Sequence, residues 1–139
     1  MIPNFDRNGN LPPGQYLATL EEFEEKFVYG MKRKDLFEGI KRLIDDLRKI
    51  GCKTLFIDGS YTTQKLFPSD FDACWDDTGV DHVKAKAIVP ELYNRGLRKL
   101  RYKGDVFQAY VLATPVKLYI DFFQSDKDDN PKGIIKINL

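Results

Sequence analysis

Leu55-Phe56-Ile57-Asp58-Gly59-Ser60-Tyr61-Thr62-Thr63-Gln64-Lys65-Leu66-Phe67-Pro68-Ser69-Asp70-Phe71-Asp72-Ala73-Cys74-Trp75-Asp76 is the stretch on which the reading of this chain turns. A short β-rich run over 53–58 leads into Gly59-Ser60. There a residue without a Cβ lets the backbone approach a ligand, and the N–H groups that follow can point at phosphate oxygens. After a gap of nine residues comes Asp70-Phe71-Asp72, at the head of a second strand expected over 70–75. On a strand, carboxylates at i and i+2 project from one face roughly 7 Å apart, with the residue between them turned to the core. Two such groups can flank hard divalent ions. A third strand is expected over 116–123, where Leu118, Ile120 and Phe122 alternate with Asp121. A carboxylate embedded in so apolar a strand requires a cation or hydrogen bonds to compensate its desolvation.

The segments around this stretch read as a mixture of helices and strands. Residues 1–18 contain Asn8-Gly9-Asn10-Leu11-Pro12-Pro13-Gly14 and are expected to run as an extended arm over the surface. Thr19 with Glu22 has the capping-box spacing and opens a helix that carries Leu20, Phe23 and Phe27 and ends near Tyr29-Gly30. From Arg33 to Ile50, the residues Leu36, Ile40, Leu43, Ile44, Leu47 and Ile50 keep one helical face. A further helix is expected over 82–94, a β-like stretch over 105–112 and a terminal strand over 133–139. The pattern argues an α/β or α+β fold, with one domain over 19–139 behind the arm.

Composition narrows the function classes. At 139 residues, with 42% hydrophobic and 31% charged, the chain is a single globular unit, not a disordered or fibrous one. Twenty-two Lys+Arg balance 21 Asp+Glu, so no uniform field draws it to nucleic acid or lipid. The N-terminus lacks a basic segment followed by an apolar stretch, and no run reaches membrane-spanning length, so a cytoplasmic location is expected. Cys52 and Cys74 lie far apart without a paired-cysteine motif and read as free thiols.

Gly59-Ser60, the Asp70-Phe71-Asp72 pair and the later Asp121 together resemble the nucleotidyltransferase superfamily of DNA polymerase beta in its minimal, stand-alone form. The wider context, from Asn10-Leu11-Pro12-Pro13-Gly14 to Asp121-Phe122-Phe123-Gln124 and Pro131-Lys132-Gly133-Ile134, looks like an uncharacterised bacterial and phage family within it. The resemblance implies a small mixed sheet with flanking helices. It implies two magnesium ions held by Asp70, Asp72 and Asp121, with Asp121 nearest the attacking hydroxyl, and nucleoside triphosphate phosphates held by Gly59 and Ser60. It implies transfer of a nucleoside monophosphate to a protein or RNA hydroxyl, possible service in toxin–antitoxin or phage-defence systems, and a separate helical partner protein. The alternative is a catalytically silent module of the same fold that acts through a partner protein or RNA.

Two features depart from that pattern. Asp58 stands where the superfamily has a hydrophobic residue, and the helical domain with which larger relatives grip base and acceptor is missing. Asp105 is the rival for the third carboxylate, ranked below Asp121 because no motif places it. Arg95, Arg98, Lys99, Arg101 and Lys103 form the one dense basic run, read as a solvated face with RNA contact as the functional alternative. Asp126, Asp128, Asp129 and Asn130 imitate a calcium loop, but Pro131 occupies its glycine position and Ile137 its bidentate glutamate position, which rejects it. His82 is the single histidine and has no serine partner in any motif, and Trp75 reads as core.

Overall fold

A computed structural model describes all 139 residues. Five strands, β1 (Gln15–Leu17), β2 (Thr54–Asp58), β3 (Phe71–Trp75), β4 (Gly104–Gln108) and β5 (Ile134–Asn138), form one sheet in the order β1-β5-β2-β3-β4. The sheet is mixed: β1 with β5 and β3 with β4 are parallel, while β2 runs antiparallel to both of its neighbours. Five helices surround it: α1 (Leu20–Phe27), α2 (Gly30–Lys49), α3 (His82–Ile88), α4 (Arg95–Tyr102) and the single turn α5 (Tyr119–Phe122). No helix is long and apolar enough to cross a membrane.

Local chemistry explains most of these elements. Thr19 and Glu22 close the expected capping box, the Glu22 N–H donating to the Thr19 hydroxyl at 3.1 Å and the Thr19 N–H to Glu22 Oε1 at 3.0 Å. The apolar stripe of α2 buries Leu36, Ile40, Leu43, Ile44 and Leu47 against Leu55, Ile57, Ala73 and Ile135, which point to the same face of the sheet. The opposite face is thinly covered. There Phe56, Cys74 and Ile134 meet Ala109, Ile120 of α5 and Phe123 just after it, with the partly buried Phe107, Leu118 and Tyr119 packed around them.

Several expectations need correction. The arm over 1–18 is part of the fold: β1 extends the sheet beside β5, Leu11 is fully buried, and Phe5 packs edge-on against Phe27. Backbone pairing and an apolar side chain tie it down where Pro and Gly alone suggested a surface run. The helix expected over 82–94 breaks at Val89-Pro90, because proline has no N–H to continue the ladder, and a 3-10 turn follows over Pro90–Tyr93. The basic run forms α4. The strand expected over 116–123 does not form. Ile120 and Phe123 are buried one helical turn apart while Phe122 is exposed, and Tyr119 stacks on Phe107 with ring centroids 4.1 Å apart. A three-residue alternation cannot distinguish a strand from one turn of helix, and capping the thin face of the sheet decides it.

The crossover from β3 to β4 sets the site. Its final helix, α4, is pinned to α2 through the buried Asp46. Arg101 Nε and Nη2 donate to that carboxylate at 2.7 and 3.2 Å, and the Tyr102 hydroxyl donates at 2.7 Å. Burial opposes ionisation of Asp46, yet these hydrogen bonds hold its carboxyl below the usual range.

Candidate functional site

At the C-terminal end of β2 the chain turns through Gly59 with φ of +76°. A Cβ there would lie 2.4 Å from Asp72 Oδ2, so the close approach of backbone to carboxylate demands glycine. The turn is braced from behind by Arg33, a buried cation on the apolar face of α2. Its Nη1 donates to the carbonyls of Phe27 (3.1 Å) and Tyr61 (2.6 Å), and its Nη2 to those of Thr63 (2.9 Å) and Lys65 (2.6 Å). Tyr61 returns a hydrogen bond from its hydroxyl to the Arg33 carbonyl at 2.8 Å. Thr62 and Thr63 hydroxyls donate to the Gly59 and Ser60 carbonyls at 3.3 and 2.7 Å. The carbonyls of residues 59–61, 63 and 65 are thus engaged within the protein, and the turn is held as a rigid piece.

Beside this turn the sheet register brings carboxylates abreast. Asp58 on β2 pairs with Asp72 on β3, and Asp72 pairs with Asp105 on β4. All three share the thinly covered face with Phe56, Cys74 and Phe107, because they alternate with core residues of the other face. Asp70 lies two residues before Asp72. Lys99 of α4 joins the edge of the row, its ammonium donating to Asp70 Oδ2 at 2.9 Å and reaching both Asp105 oxygens at 3.4 Å. Those carboxylates hold the Lys99 amine above its ordinary value, the hydrogen bond to Asp70 foremost.

The electrostatics are those of crowded negative charge. Burial, then the charges of Asp70 and Asp105, push the Asp72 carboxyl up to about 6, against the opposing pull of Lys132 and Lys99. Asp58 is fully buried and neither of its oxygens has a hydrogen-bond partner. Its carboxyl is driven well above the ordinary range by burial and by Asp72. Asp72, Gly59 and Ser60 open into a cleft of about 990 Å³ whose far rim is the 125–130 turn.

Asp121 is not part of this arrangement. It lies exposed on α5, off the sheet, and its charge acts on Tyr110 together with Asp76 and Asp77 beyond the opposite end of β3. Of the carboxylates in the row, Asp72 alone lines the cleft. Asp105 occupies the place expected for Asp121. A signal for this existed in the sequence. A strand that follows β3 through a helical crossover returns parallel beside it, so a carboxylate at its head lands next to Asp72. Arg33 was also legible as a basic residue on the apolar stripe of α2.

The other sequence features resolve into structure. The basic run is largely consumed internally: Arg98 donates to the Leu92 carbonyl, Lys99 spans Asp70 and Asp105, Arg101 holds Asp46, and Lys103 pairs with Asp35. Asp126 accepts the N–H groups of Asp128 and Asn130 at 2.9 Å each, an Asx turn closing the 125–131 loop. His82 is held between Asp77 and Tyr93, at 2.8 and 2.7 Å, against the buried Trp75. Cys52 and Cys74 are both buried free thiols.

Residues 3–138 match the model of DUF6932, a family of unknown function. The chain belongs to that family. Neither the curated proteins nor the solved structures compared with it gave a match. The carboxylate row, the Gly59 turn and the cleft of this DUF6932 chain therefore carry the functional argument by themselves. No three acidic, histidine or cysteine side chains are preassembled tightly enough to hold a metal ion. The donor set is nonetheless that of a hard cation, with oxygen ligands only, and the Lys99 ammonium already stands between two of its carboxylates.

Proposed function

We propose that the chain is a metal-dependent nucleotidyltransferase with a polymerase-beta-like fold, moving a nucleoside monophosphate from a nucleoside triphosphate to a protein or RNA hydroxyl. The observation that carries this reading is the juxtaposition of Asp72 on β3 with Asp105 on the parallel β4, with Asp70 just ahead of β3 joined to Asp105 through Lys99, beside a glycine turn that packs directly on Asp72. Asp70, Asp72 and Asp105 would hold the divalent ions, with Asp105 in the role that the sequence pattern assigned to Asp121. Bound there, magnesium would neutralise charge on the attacking and leaving oxygens of an in-line displacement.

The remaining work falls to the protein. Arg33, Thr62 and Thr63 fix the carbonyl side of the Gly59-Ser60 turn, which presents its other side to the triphosphate in the cleft. Asp105, on the edge strand, would accept the proton of the incoming acceptor hydroxyl as the bond to the α-phosphate forms and pyrophosphate departs. Lys99 must release Asp70 and Asp105 before the ions enter. The same contact favours the rival reading, a silent module in which Lys99 permanently replaces the metal and the protein acts through a partner protein or RNA. A partner that supplies acceptor binding, as in toxin–antitoxin or phage-defence pairs, would complete such a site, and a cytoplasmic setting would supply both triphosphates and magnesium.

The test is transfer of label from α-labelled nucleoside triphosphates, with magnesium, to macromolecules in an extract of the native cell. Asp105→Asn abolishes labelling and Asp121→Asn retains it within about twofold, as expected of a surface residue. An extract that gives no label with any of the four ribonucleotides, while the protein captures a partner equally well with and without the Asp70, Asp72 and Asp105 carboxylates, overturns the enzyme in favour of the rival.

A further inference from the structure

Lys132 lies at the head of β5, 8% exposed, and lines the cleft together with Gly59, Ser60 and Asp72. No hydrogen bond or ion pair within the chain engages its ammonium, in contrast to Lys99, Arg101 and Lys103. Its stem is buried while the ammonium keeps contact with the cleft, which leaves a cation held in place and free to pair with a bound anion. Asp58 and Asp72 both feel its charge, but it forms an ion pair with neither, and both Asp58 oxygens stay without a partner.

The backbone sets this position tightly. The Lys132 N–H donates to the Gln124 carbonyl and the Gly133 N–H to the Leu11 carbonyl, each at 2.9 Å. A Cβ on Gly133 would sit 2.3 Å from the Pro12 carbonyl oxygen, so only glycine lets the chain press against the arm and seat Lys132 in the cleft. The expectation attached to Pro131-Lys132-Gly133 thereby acquires a physical content: a turn, a placed cation and a close approach.

The cleft lining carries both signs of charge: Lys117, Lys127 and Lys132 stand among Asp72, Asp126, Asp128 and Asp129. Of the three lysines, Lys132 is the buried one, beside Gly59 and Ser60.

We propose that Lys132 binds the anionic phosphate tail of the substrate in this cleft, beside Gly59 and Ser60. That the tail belongs to a nucleotide rests on the nucleotidyltransferase reading; that the site takes phosphate oxygens rests on Lys132 and its surroundings.

The experiment is calorimetric titration of the intact chain with inorganic triphosphate, a nucleoside triphosphate and the parent nucleoside, in magnesium. Wild type binds both triphosphates and not the nucleoside. Lys132→Met weakens both by at least about tenfold, the scale of one charge-assisted hydrogen bond, and Lys132→Arg keeps most of the affinity. Thermal unfolding checks each variant. Where Lys132→Met fails to fold because Asp58 loses its neighbouring cation, the Asp58→Asn/Lys132→Met double variant, which removes that carboxyl along with the cation, takes its place. Equal triphosphate binding by wild type and the methionine variant overturns the assignment of Lys132 and leaves the nucleotidyltransferase reading intact. Lys132-dependent binding of inorganic triphosphate with none of the nucleotide supports the site and removes the nucleotide from it. No binding of either triphosphate by wild type overturns both.

Discussion

Asp72→Asn tests whether the carboxylate row is built for a cation, because it removes the most crowded ionisable charge of the row without removing a hydrogen bond. Only burial and neighbouring charges act on this carboxyl, and they raise it from the ordinary 3.8 to about 6. A raised acid takes up protons in the folded state before the unfolded chain does. The resulting penalty is absent below about pH 4, grows between the two values and is complete above about pH 6. A difference of about two pH units at ~1.36 kcal/mol each puts that penalty at about 3 kcal/mol in the metal-free protein at pH 7.5. For a domain of this size, that corresponds to a rise of about 10 °C in the midpoint of Asp72→Asn over wild type. The assay is thermal unfolding in chelator at pH 4, 5.5 and 7.5. The variant is expected to gain over wild type as pH rises and to match it near pH 4. Magnesium stabilises wild type and closes the gap. A variant less stable than wild type at pH 7.5, or a difference independent of pH, shows that Asp72 serves as a structural carboxylate and refutes the reasoning.

Two further substitutions probe the scaffold behind the site. Arg33→Met leaves the carbonyls of Phe27, Tyr61, Thr63 and Lys65 without their shared donor, and is expected to destabilise by about 3–5 kcal/mol in urea unfolding. A loss below about 1 kcal/mol would mean that the turn holds itself. Tyr102→Phe removes the hydroxyl that donates to buried Asp46, and is expected to cost about 1.5–3 kcal/mol while leaving α4 helical by circular dichroism. An unchanged midpoint would show that Arg101 alone satisfies the carboxylate.

Short-range chemistry was written in the chain itself. The Thr19–Glu22 box, the stripe of α2 and the β2 and β3 strands follow from neighbours three or four residues apart, or from short runs of strand-favouring residues, and they form as read. Gly59 was legible as a turn residue. Its positive φ is a local requirement, and the sequence also placed Asp70 and Asp72 two residues apart beside it. The identity of the third carboxylate was not local. Asp105 and Asp121 each stand in a short β-like stretch, and it is the crossover returning β4 parallel to β3 that sets Asp105 beside Asp72, while α5 folds over the thin face and leaves Asp121 exposed. The basic run reads the same whether it is free or paired. It is paired because Asp35, Asp46, Asp70 and Asp105 arrive from other elements. Nor could sequence alone tell that Asp58 and Lys132 are both buried and close enough to share a field, since the end of β2 and the residues leading into β5 are distant in the chain and meet only because the two strands pair. Backbone propensity and periodicity act over a few residues and can be read from order alone. The charge that a side chain meets depends on register and crossover between distant segments, and at this site that decided which residues share a field.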